Sequence, residues 1–181
     1  MRGLWFGTWL GFAGTALADP YCKPDAAELT ALPELLAGEW QGEIVQGVAV
    51  QDGKPSVLPT DGKSTPAVLA VVGRAISFSD ATTTAPVLLD IATKAVDFAL
   101  PGESPLDAEE LLGPLLPETG CALVDLPQFR GAVSMAQGMA VQFRAYVVAR
   151  DQLLIVMQVA QVGPVARPTG SAVRVVLRYG R

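Results

Sequence analysis

The 181-residue chain contains no histidine. That absence removes the usual general base of serine and cysteine hydrolases. It also removes the usual nitrogen ligand for zinc, copper and iron. Cysteine is scarce: there are two, Cys22 and Cys121. Basic residues are few, 13 Lys and Arg against 18 Asp and Glu, for a net charge of −5. They are scattered, so no stripe exists that could track phosphates, and nucleic acid is excluded as a partner. The acidity itself reads as solubility. No apolar run in the chain reaches the ~20 residues that a membrane-spanning helix needs.

The chain opens MRGLWFGTWLGFAGTALADP. Arg2 gives a short positive region, residues 4–15 carry no charge, and Ala16-Leu17-Ala18 places small residues where a signal peptidase reads. Residues 1–18 are therefore expected to be a signal peptide, cleaved before Asp19. The apolar stretch is too short for an anchor. Tyr21 precedes Cys22 where a lipoprotein site would need a small residue. Removing Arg2 takes the net charge from −5 to −6 (12 basic against 18 acidic residues). The expectation is an exported protein, periplasmic or secreted, with no stable membrane span after cleavage. In such a compartment an isolated cysteine pair is expected to form one disulfide, Cys22 to Cys121. A bridge closing a loop of about 100 residues is worth ~4 kcal/mol in the chain-entropy account. With both thiols oxidised, thiolate nucleophiles and thiolate metal sites are lost as well.

Residues 19–37 read as an N-terminal helical segment, and 38–181 as one β domain. Residues 25–32 predict a short helix, with Pro33 starting another turn and Gly38 stopping it. The period then changes. In "LLAGEWQGEIV", Trp40, Gly42 and Ile44 fall on one face and Gln41 and Glu43 on the other, which is a strand. It is expected to slip at Gly47 and continue through Val48 and Val50. The stretch 51–66, with two Asp-Gly pairs, reads as turns around a short edge strand at most. Runs at 67–72, 74–79, 87–91 and 95–100 read as further strands. "SPLDAEELLGP" predicts a helix with Ser104 as N-cap, Pro105 as first residue, and Gly113-Pro114 as its end. Its Asp107, Glu109 and Glu110 suit the helix dipole; a catalytic carboxylate pair is the competing reading. In "GMAVQFRAYVVARDQLLIVMQVAQV", Met139, Val141, Phe143, Ala145 and Val147 share one face of a long hairpin, and Gln142, Arg144 and Tyr146 the other. "SAVRVVLRYGR" supplies a last strand, with Val173, Val175, Leu177 and Tyr179 inward. The expected fold is all-β with one or two short helices and eight or nine antiparallel strands.

Gly38-Glu39-Trp40 after a short helix resembles the Gly-x-Trp start of the lipocalins and the wider calycin barrels. The resemblance implies a closed up-and-down barrel whose tryptophan plugs one end. It also implies an arginine near the end of the last strand packing over that tryptophan. Arg178 is the matching residue, with Arg174 second; cation–π attraction suits such a pair. A β-sandwich, with Trp40 an ordinary core residue, is the alternative.

Three functions from different classes compete. A barrel of about eight strands can hold one small apolar ligand. Trp40, Phe78, Phe98, Phe143 and Met157 are the candidate lining, although core filling is the better account of any single one of them. The chain is also similar, in size and layout only, to the small disulfide-tied barrels found among exported inhibitors of proteases and lysozymes; contact would then run through 51–66 and 162–171. An enzyme is the third reading, opposed by the missing histidine. The expectation is a monomeric, non-catalytic protein without metal or other cofactor, whose partner is a small apolar ligand or an exported protein.

Overall fold

A computed structural model describes residues 21–81, 83–116, 121–134, 139–161 and 171–181. The expected signal peptide and most of the proposed contact loop at 162–171 lie outside these residues.

The first element is α1, Ala26–Leu36. Asp25 caps it: its carboxylate accepts from the N–H groups of Ala27 and Glu28, both at 2.8 Å, while Glu28 accepts from the Asp25 N–H. This capping box satisfies N–H groups that a helix start otherwise leaves unpaired. The helix does not break at Pro33 as the sequence suggested. Pro33 lies inside it, and its carbonyl still accepts from the Ala37 N–H at 3.1 Å.

Nine strands follow: β1 (Gly38–Gln51), β2 (Lys54–Val57), β3 (Thr65–Val72), β4 (Ala75–Asp80), β5 (Val87–Ala92), β6 (Gln128–Ser134), β7 (Met139–Ala149), β8 (Gln152–Gln161) and β9 (Ala172–Gly180). All pairings are antiparallel. The order runs β1-β3-β4-β5-β6-β7-β8-β9, and β9 pairs back onto β1, closing an eight-stranded up-and-down barrel. Closure leaves no raw sheet edge in those strands. β2 is an extra strand laid beside the distal half of β1. The β1–β9 register shifts between Ile44 and Gln46, close to the expected slip. The sandwich alternative is thereby excluded.

Two layers of apolar packing hold the barrel. Inside, Trp40, Leu69, Ile76, Phe78, Leu89 and Phe129 join inward residues of β7–β9 in one buried cluster, which Leu32 and Leu36 of α1 complete. Outside, the long β5–β6 connection folds back as a strap. Its Phe98, Leu111, Leu112, Leu123 and Leu126 pack on Tyr146, Val148, Leu154, Val156 and Val176. Each such fully buried side chain contributes up to about 1.5–3 kcal/mol, against ~0.5–1.5 for an ordinary hydrogen bond, so apolar burial docks the strap. The outer face of β7–β9 is therefore a second core. Arg144 and Tyr146, expected on the solvent side, are both buried there.

The strap contains two departures from the sequence reading. Residues 95–100 alternate like a strand but form none, because Asp97 captures the N–H groups of Ala99 and Leu106, both at 2.9 Å. Those two bonds hold the Asp97 carboxyl below its ordinary range. The helix expected from Ser104 begins later, as α2 (Ala108–Leu112), capped by Asp107. Its first residues are unavailable because Leu106 is bonded to Asp97 and its carbonyl accepts from the Phe98 N–H at 2.8 Å. The acids expected at a helix start do serve there, with the Asp107 carboxylate accepting from the Glu110 N–H. β6, which the sequence reading lacked, takes the strand count that 95–100 was expected to supply.

Cys22 and Cys121 are disulfide-bonded, with Cα atoms 5.8 Å apart. The bridge ties the segment before α1 to the strap. Neighbouring bonds reinforce it: Lys23 N–H to the Asp125 carbonyl at 2.8 Å and Tyr21 N–H to the Val148 carbonyl at 3.3 Å. Replacing either cysteine with serine should lower stability by about 2–4 kcal/mol in denaturant titrations under non-reducing conditions. Unchanged midpoints would show that packing alone carries the junction.

Candidate functional site

The barrel has two unlike ends. At one end β1 starts, β9 finishes and α1 lies across the opening. Gly38 enters the first strand with φ 134°, a conformation that disfavours any side chain. Trp40 then points inward, 1% exposed, and its indole N–H donates to the Leu36 carbonyl at 2.9 Å. Gly42 is the next inward position. A methyl group there would fall among the ring atoms of Tyr179, its cross-strand partner, so glycine makes room for that ring.

The arginine over Trp40 is Arg181, not Arg178. Its guanidinium carbon lies 4.6 Å from the indole centroid. It also donates to the carbonyls of Leu35 at 2.6 Å, Ala37 at 3.2 Å and Arg150 at 3.0 Å. One side chain thus binds the carbonyls that end α1, the β7–β8 turn and the plug. Arg178 faces outward by strand alternation and sits 3.6 Å from Glu43, its cross-strand neighbour. Arg174 is also outward. It is 5% exposed and bonds the strap, at 2.7 Å to Glu103 and 2.6 Å to the Phe98 carbonyl. Arg181 lies beyond β9, where strand alternation gives no guide to direction.

Mid-barrel, Phe78 packs against Phe143 (ring centroids 6.1 Å apart) and edge-on against Tyr179 (5.6 Å). Tyr179 donates to the Asp80 carboxylate at 2.8 Å. Burial, the nearby Asp80 charge and this bond all push its hydroxyl far above the usual tyrosine range, so it stays a neutral donor. Asp80 is fixed in turn by reciprocal bonds with Thr83 at 3.0 Å. The Tyr179–Asp80 pair thus places a polar element beside the aromatic rings of the interior.

Towards the other end the inward side chains open up. Val133, Val141, Met157 and Val173 are only half-buried, although they pack on the same interior cluster. Ile44 is 37% exposed. Of the five candidate lining residues, Trp40, Phe78, Phe143 and Met157 share the barrel interior. Phe98 does not: it is buried beneath the strap, outside the barrel wall. Tyr179 and Phe129, which the candidate set omitted, belong inside.

Among the described residues, no three or more Cys, Asp or Glu converge as a metal site. No described helix is long and apolar enough to cross a membrane. The sequence matches no family model and no curated protein.

Proposed function

We propose that this is an exported, non-catalytic barrel that binds a small apolar ligand of lipid or small-aromatic type through its half-open end. The observation that carries the reading is the gradient along the bore. Inward apolar side chains pass from fully buried at Trp40 to half-buried at Met157, Val141 and Val173, with the Tyr179–Asp80 pair as a polar element among them. An apolar rim over an aromatic floor suits a ligand without charge at its leading end. Met157 adapts to irregular shapes, and Phe143 offers area and a ring face. Closure by α1, Trp40 and Arg181 makes the opposite end the entrance.

Palmitate and a neutral quinone are suitable probes. Thermal stability should rise by about 2.7 kcal/mol at a hundredfold excess over the dissociation constant. Phe143→Ala should weaken binding. Val68→Ala, on the exposed outer face of β3, should leave it nearly unchanged. Equal effects from the two changes, or no shift with any apolar probe, would remove the carrier reading.

An interaction domain is the second reading, and β2 favours it. All four of its residues are exposed, Val57 to 83%. Lys54 and Pro55 blunt strand addition there, so a partner would use the side chains of β2.

A further inference from the structure

Two arginines are equally buried on the outer wall of the barrel, and they are treated differently. Arg174, 5% exposed, has Glu103 and the Phe98 carbonyl. Arg144, also 5% exposed, has one weak bond among the described residues, its Nη1 donating to Gln128 Oε1 at 3.4 Å. No described carboxylate lies within ion-pairing distance of it. Arg130 stands directly opposite on β6, an arrangement of like charges that is unfavourable in itself. Burial and the Arg130 charge depress the affinity of Arg144 for its own proton, with Tyr146 opposing them.

Arg130 and Arg144 line an outer groove of about 580 Å³ between β5, β6, β7 and the strap. That volume falls in the small-molecule range. Gln142 adds a further polar group, and Leu88 and Val96 supply apolar wall. Leu88 is 48% exposed. Asp90 lies opposite Arg130 on β5 and also lines the groove, so the local balance is one net positive charge.

We propose that this groove binds a small organic monoanion, its carboxylate held by Arg144 and Arg130 and its apolar body lying on Leu88 and Val96. A guanidinium presents a planar fork that matches a carboxylate, and such charge-assisted bonds are the strong ones. Asp90 disfavours a second negative charge, which selects a carboxylate over a phosphate dianion. The site is separate from the barrel mouth: residues 143 and 144 are adjacent, but point to opposite faces of β7.

Benzoate, the neutral isostere benzamide and inorganic phosphate test this at low ionic strength. Benzoate should raise the melting temperature and move the Arg144 side-chain N–H signals in NMR spectra. Phosphate should do so less and benzamide not at all. Arg144→Met should raise the melting temperature of the unliganded protein, because it removes a desolvated charge that has no described carboxylate beside it, and should abolish the benzoate response. Arg130→Gln, at an exposed position, should weaken benzoate several-fold without changing the fold. That variant keeps the test decisive should Arg144→Met not fold. Benzamide or phosphate acting as strongly as benzoate would overturn the proposal. So would a benzoate response retained in either variant at full strength, or a lowered melting temperature in Arg144→Met, which marks a purely structural arginine.

Discussion

Replacing Trp40 with alanine should cost about 3–5 kcal/mol, measured by denaturant unfolding at neutral pH. The ring is 1% exposed and occupies the closed end of the bore beneath α1. Removing it leaves a void bounded by a helix and two strands that are hydrogen-bonded elsewhere and cannot collapse inwards. The loss also strips the Leu36 carbonyl of its indole donor and leaves Arg181 without the ring beneath it. Trp40 and Arg181 are in contact, so their effects should not add: a double-mutant cycle should give a coupling of about 0.5–1 kcal/mol, the range for a cation–π pair at a partly exposed site. After Asp19, Trp40 is the sole tryptophan. Its emission should be blue-shifted and protected from iodide in folded protein that starts there. Emission like that of free tryptophan in water would contradict the plug.

Glu103→Ala should cost a similar ~3–5 kcal/mol, because breaking a buried pair from one side leaves the other charge uncompensated. Here the stranded charge is Arg174, whose side chain is 6% exposed; Glu103 itself is 29% exposed. Replacing the pair together, Arg174→Met with Glu103→Leu, should be nearly neutral, which separates desolvation from any special worth of the ion pair. The pair also fixes an acid dependence. Burial would raise the Glu103 carboxyl, but the Arg174 bond, the Leu100 N–H at 2.8 Å and the Arg174 charge outweigh it and hold the group below its ordinary 4.5. A carboxyl lowered by folding contributes stability that is fully present above pH 4.5 and is lost as pH falls through the folded value. Strap release, followed by proteolysis within residues 97–106, should accelerate below that pH in the parent protein. In Glu103→Ala it should already be fast at neutral pH.

The barrel was legible in the sequence wherever one face was buried and the other wet. β1, β3 and the inward rows of β7 and β9 follow simple alternation, and the hairpin turn expected near Asp151-Gln152 falls one residue earlier, at Arg150-Asp151. The strap was not legible, because its contacts are non-local. Its trace lay in β8, where Leu153, Leu154, Ile155 and Val156 are apolar on both faces, a pattern that signals cover on both sides. Residues 95–100 misled because a side-chain bond, from Asp97, decided their conformation over alternation. β6 escaped notice because Gly131 and Arg130 interrupt a short run in which only Phe129 and Val133 face the interior. The arginine of the plug was sought within the last strand, where Arg178 was the nearer choice. The residue that reaches the ring lies past the strand, where no periodicity operates. By chemistry alone Phe98 reads as a bore residue, and chemistry does not distinguish the inside of a barrel wall from the underside of a strap.

The half-open end of the barrel is proposed to hold an apolar ligand. Native mass spectrometry of the protein purified in exported form from its own host tests it most directly. The account predicts an oxidised polypeptide beginning at Asp19 with an added small-molecule mass that organic solvent releases, and that Phe143→Ala reduces. A bare polypeptide that takes up neither palmitate nor quinone when they are added back would contradict it.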